Sequence, residues 1–262
     1  SRIRLIRNEK NIGAGPSRNR GIDAAIGEYI GFADPDDMMD ENFFEVLFEK
    51  ADSGDYDIVK AERIPFYEEG GIIRKERTSS NERLKEALKQ GDPLYAAFTS
   101  EHQSAIFRRS MIIENGVYNG NSSYSENSVF LLKACFYAKS FAMVVGTAYY
   151  SGAHELSVRH NEGELSSLLE QIEFINTYLT DTDGYVRFME RKIRFLMLRY
   201  NDLLTLPGHD DEKKAFVHGI CEALKDVRYP EKILKRGYKI GLLINGDEER
   251  FMQISKVHEL TG

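Results

Sequence analysis

The chain has 262 residues, enough for one large domain or for one domain and an appendage. An apolar fraction of 42% and a charged fraction of 29% are those of an ordinary globular protein. The net charge of -7 lacks the basic excess of a general nucleic-acid binder, so no nucleic-acid partner is expected.

Ile3 to Arg7 alternates apolar and basic residues and reads as a strand. The opening SRIRLIRN has no initiator Met and runs directly into that strand, as expected of a partial sequence. NEKNIGAGP follows as a Gly-rich turn. Pro16 suits the first turn of a helix that carries Ile22, Ala25 and Ile26 on one side and is closed by Gly27. Glu28 to Ala33 reads as a buried strand with DPDD at its C-terminal end. Phe43, Phe44, Val46, Leu47 and Phe48 mark the next helix, and Tyr56 to Ala61 another strand. This alternation predicts a largely parallel sheet covered by helices.

Ile64 to Arg74 reads as a hairpin around Gly70 and Gly71. Glu82 to Gln90 is expected to be helical, Ser104 to Arg109 a strand, and Ser110 to Asn115 and Ser128 to Tyr137 helices. Ala142 to Val145 and Ala148 to Tyr150 read as short strands. From about Glu162 the patterning becomes purely helical: Glu164 to Thr180, Gly184 to Leu204, Glu212 to Val227 and Pro230 to Arg236. The expected organisation is therefore an α/β domain over 1–161 and an all-helical appendage over 162–262. Cys135 and Cys221 lie in apolar, helix-like text outside any CxxC pair and read as reduced core thiols of a cytosolic protein. No apolar run is long enough to span a bilayer.

Two motifs carry chemistry. Asp34-Pro35-Asp36-Asp37 follows an apolar strand, and ligands of open α/β sheets bind beyond the carboxyl ends of strands. Carboxylates converging there repel one another unless a cation offsets them, and Mg²⁺ or Mn²⁺ shared with substrate phosphates fits oxygen ligands. The competing reading is a polar turn capping the next helix. Upstream, Asn11-x-Gly13-x-Gly15 leads into a helix whose first turn carries Arg18 and Asn19. A helix N-terminus with a guanidinium beside it suits a phosphate or nucleotide.

The combined run N-x-G-x-G-x-x-R-N-x-G-I-x-x-A-x-G-E-Y-I-x-F-x-D-x-D-D, Asn11 through Asp37, resembles the heart of family-2 glycosyltransferases, and Asp40 and Asp57-Ile58-Val59 match the usual continuation. The resemblance is looser over Ser104 to Ser157. It implies a GT-A fold, a nucleotide-diphosphate sugar donor, a glycan or lipid-linked acceptor, inversion at the anomeric carbon, and a divalent metal. Arg18, Asn19, Asp34 and Asp36 would contact the donor, and Asp36, Asp37 and His154 the metal. A surface polar role for His154 is the alternative, and Arg159 and His160 are weaker candidates.

At the family's Glu-Asp pair this chain has Glu126-Asn127, so Asn127 stands where the base Asp usually stands, and an amide does not accept the proton. Either Glu126 takes that role or it supports the helix N-terminus. The family's opening segments, which bind the nucleotide base and ribose, do not occur in this chain; at least two crossover units, each of about 30 residues or more, are expected upstream, the alternative being a rearranged architecture. Lys232, Lys235, Arg236 and Lys239 interleave with apolar residues, which allows peripheral contact with an anionic membrane face as well as a solvated helix face. Two other functions compete: a catalytically degenerate domain acting as a binding or scaffold module, and a metal-dependent nucleotidyltransferase.

Overall fold

The computed structural model describes residues 3–69, 72–75, 102–121, 126–152, six helical positions between 167 and 177, 210–225, 241–243 and 245–259. The chain divides into two compact units, Ser1–Arg159 and His160–Gly262.

In the first unit, the backbone N–H of Gly13 donates to Asn11 Oδ1 at 2.9 Å, and Gly13 takes φ 84°, a conformation glycine adopts without steric cost. Helix α1 (Ala14–Ala24) starts there. It ends three residues before Gly27, on an extended Ala25, so Gly27 is not its cap. The expected apolar side is correspondingly shorter: Ile22 is 1% exposed, whereas Ile26, beyond the helix, is 93% exposed. The strand expected at Ile3–Arg7 is not formed, and Ile3 and Leu5 lie exposed there, since alternation makes a strand only where a sheet face receives it.

Strand β1 (Tyr29–Gly31) is followed by the acidic turn and by β2 (Met38–Met39), a two-residue strand too short to show periodicity in the sequence. Helix α2 (Phe43–Gly54) buries Phe43, Leu47 and Ala51, one position per turn, and closes through Asp55 at φ 50°. Strand β3 (Ile58–Glu69) pairs antiparallel with β4 (Ile72–Lys75), as expected of a hairpin, with Glu69 opposite Ile72. After a single 3₁₀ turn (His102–Ser104) come β5 (Ala105–Arg108), α3 (Arg109–Glu114), α4 (Glu126–Tyr137) and β6 (Phe141–Gly152).

The sheet order is β1-β5-β3-β6-β2, with β4 paired to β3. β3 and β6 are parallel, and β5 runs antiparallel to both β1 and β3, so β1, β3 and β6 share one direction. The sheet is thus mixed, with β5, β2 and β4 each running against that common direction. The two short strands expected near Ala142 and Ala148 are one strand with a bulge. Lys60 pairs with Met143 but Glu62 with Ala148, and Gly146 within the bulge has φ 90°.

Alternate residues feed two cores. Ile58, Phe107 and Ile30 pack with Ile22 of α1, Ile112 of α3 and Phe130 of α4. Val59, Ile106, Ala142 and Tyr149 pack with Phe43, Leu47 and Ala51 of α2 on the other face. Both cysteines are free and buried.

In the second unit, the described residues form helices, among them α5 (Asp210–Lys225) and α6 (Glu248–Glu259). Among the described residues no helix is long and apolar enough to cross a membrane. The helices expected at 82–90, 184–204 and 230–236, and the basic stretch at Lys232–Lys239, lie outside the described residues.

His218 of α5 and Glu248 of α6 form an exposed pair at 2.7 Å, and the hydrogen bond and negative charge of Glu248 raise the imidazole pKa. A raised value means that any stabilisation from the pair is complete below the ordinary histidine range and fades as pH rises through the raised value. An NMR titration should therefore place the His218 midpoint above that of a free histidine, and Glu248→Gln should return it to the ordinary value.

Candidate active site

The acidic turn begins where β1 ends. Phe32 is buried, and the Asp37 N–H donates to the Asp34 carbonyl at 3.2 Å, closing a turn with Pro35 in its second position. β2 then binds the far side of this turn to β6, pairing Met38 with Tyr150 and Met39 with Tyr149. Asp40 completes the attachment: its carboxylate accepts the Ala148 N–H at 2.8 Å and the Tyr150 hydroxyl at 3.1 Å.

Tyr149 lies fully buried beneath the turn. Its hydroxyl accepts the Asp34 N–H at 3.1 Å and donates to Asp37 Oδ2 at 2.7 Å, while the Gly152 N–H donates to Asp37 Oδ1 at 2.8 Å. Burial raises the Asp37 pKa, the Gly152 and Tyr149 hydrogen bonds counter it, and the charges of Asp34 and Asp36 add to the rise. Burial first, and then the bond to Asp37, raise the Tyr149 phenol, which stays a neutral donor.

Asp34 is held differently. Its Oδ1 accepts Arg18 Nη2 at 2.7 Å and its Oδ2 accepts Gln103 Nε2 at 2.5 Å. Burial alone would raise this carboxyl, but the two hydrogen bonds and the Arg18 charge outweigh it and leave the pKa below the ordinary value. Arg18 reaches in the other direction to Glu126 Oε1, at the first position of α4. One guanidinium therefore joins two carboxylates from elements 16 and 108 residues away in sequence. All three side chains are mostly shielded, at 20% exposed for Arg18, 23% for Asp34 and 11% for Glu126.

Gly15 makes this reach geometrically feasible. A Cβ there would meet the Gly120 carbonyl oxygen at 2.5 Å and Glu126 Cγ at 3.0 Å, so only glycine lets α1 lie this close to the start of α4. Asn19 secures the same contact. Its amide donates to the Asn119 carbonyl at 3.1 Å and its oxygen accepts the Asn119 N–H at 2.8 Å, while the Gly120 N–H bonds the Glu126 carbonyl. Asn19, expected at the donor, is thus turned to the Asn119 loop.

The predicted residues are brought together unequally. Arg18, Asp34 and Glu126 meet directly; Asp37 is fixed from β6; Asp36 is exposed at the turn and Asn127 is half-buried in α4. Of the three carboxylates of the turn, Asp34 is engaged by Arg18 and Gln103. Among the described residues no group of three His, Cys, Asp or Glu side chains is arranged to hold a metal. Asp36 and Asp37 remain a hard oxygen pair compatible with Mg²⁺ or Mn²⁺, ions that are commonly bound by one or two carboxylates with substrate phosphates completing the shell. His154, Arg159 and His160 lie outside the described residues. Sequence reasoning gave no role to Gln103 and His102, which belong to no motif, nor to Asn119 and Tyr149, which lie within the looser resemblance over Ser104 to Ser157.

Residues 1–116 match the family model for glycosyl transferase family 2. EpsH of Bacillus subtilis (strain 168) is 25% identical over 209 residues, covering 76% of this chain and 59% of that protein. Glycosyltransferase GlyG of Streptococcus pneumoniae serotype 4 is 39% identical over 59 residues, 22% of this chain and 20% of GlyG. The chain thus spans under two thirds of the length of these relatives. Among solved structures, S. aureus TarS residues 1–349 in complex with UDP-GlcNAc superposes with a TM-score of 0.72 at 17% identity, over 97% of this chain and 74% of that one. This likeness establishes a GT-A-like fold, and the matches together support assignment to glycosyltransferase family 2.

Two outcomes test the site's construction. Gly15→Ala should destabilise the domain by about 1–3 kcal/mol, the usual cost of overpacking, as measured by urea unfolding. Arg18→Met should cost about 1–3 kcal/mol at neutral pH, since it strands two shielded carboxylates. The pKa of Asp34 is lowered, so this loss should be full above the ordinary carboxylate range and shrink as pH falls through the lowered value. Equal loss at pH 7 and pH 3 would contradict the pairing.

Proposed function

With glycosyltransferase family 2 as the premise, we propose that this domain transfers a sugar from a nucleotide-diphosphate donor to a hydroxyl of a glycan or lipid-linked acceptor, with inversion. The observation that carries the reading is the Arg18 bridge between Asp34 and Glu126, which sets the acidic turn beside the position where the family keeps its base.

In this reading Asp34 and Asp36 contact the donor, and Arg18 holds the Asp34 carboxylate oriented for it. Asn19 acts at one remove, by seating the loop that carries Asn119 and Gly120. Glu126 takes the acceptor hydroxyl proton as that oxygen attacks the anomeric carbon and the bond to the diphosphate breaks. Asn127, next to Glu126 on α4, would orient the acceptor but takes no proton. Mg²⁺ or Mn²⁺, held by Asp37 and Asp36 and, as the family resemblance implies, His154, would supply positive charge that offsets the departing diphosphate. A uridine diphosphate sugar is the donor to try first, since TarS was solved with UDP-GlcNAc and with UDP. A cytoplasmic membrane face, reached through the basic stretch at Lys232 to Lys239, is where a lipid-linked acceptor would be met.

A second reading is a binding module without turnover. It is favoured by Asn127 at the base position and by the engagement of Glu126 with Arg18.

Calorimetry with UDP and Mn²⁺ should show binding that requires the metal and is lost in Asp37→Ala; equal affinity in parent and variant would refute the donor site. In a transfer assay, Glu126→Gln should lower turnover about 10²- to 10⁴-fold while UDP binding persists. Full turnover in Glu126→Gln would remove Glu126 as the base. Binding without transfer, with Asn127→Asp restoring activity, would favour the second reading.

A further inference from the structure

Behind Asp34 lies a buried polar pair that the motif reading does not use. Gln103 Nε2 donates to Asp34 Oδ2 at 2.5 Å, and Gln103 Oε1 lies 2.8 Å from His102 Nδ1. His102 is 0% exposed, stacked on Phe32 with ring centroids 4.4 Å apart and tilted against Phe130 at 5.8 Å. Its Nε2 is buried without a hydrogen-bond partner among the described residues.

The chemistry of this chain of contacts has one consistent solution. A carboxylate only accepts, so the Gln103 amide must present N–H to Asp34, and its oxygen must then face His102. That oxygen also only accepts, so His102 Nδ1 must carry the proton. With Nδ1 protonated, Nε2 keeps its lone pair. Protonating Nε2 as well would bury an imidazolium charge with no acceptor among the described residues. Burial, with the Arg18 and Lys60 charges nearby, pushes the imidazole pKa down to about 3, which keeps the ring neutral across the working range. Flipping the amide would set oxygen against carboxylate on one side and leave the ring without an acceptor on the other.

We propose that His102 and Gln103 are positioning residues that fix the Asp34 carboxylate, with the His102 ring protonated on Nδ1. The proposal rests on the reading of Asp34 as a donor-contacting residue. Arg18 alone leaves Asp34 free to rotate about one bond. A second donor from the opposite side fixes the plane of the carboxylate, and the His102 bond prevents the Gln103 amide from reversing. The aromatic stack holds the ring, so the position of Asp34 is anchored in the core beneath α4.

Two-bond proton–nitrogen NMR of histidine-labelled protein tests this, with the His102 signal identified by its loss in His102→Gln. The parent should show a pyrrole-type Nδ1 and a pyridine-type Nε2; the reverse pattern overturns the proposal. Gln103→Glu retains an acceptor for the ring and should keep this signature, whereas Gln103→Met removes the acceptor and should lose it. UDP affinity in the presence of Mn²⁺ separates positioning from space filling. Gln103→Met should bind about ten- to a hundredfold more weakly, the effect of one hydrogen bond to a charged group, and Gln103→Glu more weakly still, because it sets a carboxylate against Asp34. Equal affinity in parent and Gln103→Glu overturns the proposal, provided circular dichroism shows both folded; if Gln103→Glu does not fold, Gln103→Met decides alone. A parent that binds no UDP refutes the donor reading of the preceding subsection, and the ring signature in parent and Gln103→Met then decides the relay by itself.

Discussion

A carboxylate shielded from water has to be met by donors, and the arrangement around Asp34 follows from that requirement. Arg18 comes from α1 and Gln103 from the 3₁₀ turn before β5, and each takes one oxygen. The Arg18 guanidinium, itself shielded, needs more than one acceptor, and Glu126 supplies the other. Two carboxylates this close would repel one another without the cation between them. With it, α1, the acidic turn and the start of α4 become one electrostatic unit. Gly15, which brings α1 close to Gly120, and Asn19, which locks the Asn119 loop, are the steric and hydrogen-bonding conditions for that unit to close.

The other half of the site depends on β6. This strand is parallel to β3 along its length yet changes register midway, and the bulge carrying Gly146 allows its second half to turn towards the acidic turn. That half contributes Tyr149, Tyr150 and the Gly152 N–H, which together bond Asp34, Asp37 and Asp40. Asp34 and Asp37, three residues apart, thus have opposite electrostatic characters. Asp34 is held ionised by a cation. Among the described residues Asp37 is met by neutral donors, and burial first, then the like charges of Asp34 and Asp36, raise its pKa. A group in that second condition gains most from a bound cation, which is why the proposed reading gives Asp37 rather than Asp34 to a metal.

The two-faced core keeps both halves in register. Ile58 and Val59, adjacent on β3, point into opposite cores, and Ile106 and Phe107 on β5 do the same. One core holds α4 and therefore Glu126. The other holds α2 and the Tyr149 ring beneath the acidic turn. Displacement of either helix would move one of the partners that meet at Arg18 or at the turn.

Local pattern was enough to determine much of this protein. Pro16, Gly13 and the run from Arg18 to Ala24 mark a helix after a tight turn, the apolar run before Asp34 marks a strand, and Phe43, Leu47 and Ala51 recur at the helical period. These are constraints between residues a few positions apart, and a sequence displays them directly. The family resemblance also picked out Arg18, Asp34 and Glu126 individually. What it did not contain was their mutual contact, or the part played by Gln103, Asn119 and Tyr149, which stand 69, 100 and 115 residues from the groups they bond. Nor did it contain the antiparallel insertion of β5 between β1 and β3, the merging of two apparent strands into the bulged β6, or the exposure of Ile3, Leu5 and Ile26. Those depend on which surfaces meet once the chain is closed. Long-range pairing of buried polar groups leaves no periodicity, because each such group needs only one partner of the right chemistry, and only the tertiary structure decides which one it finds.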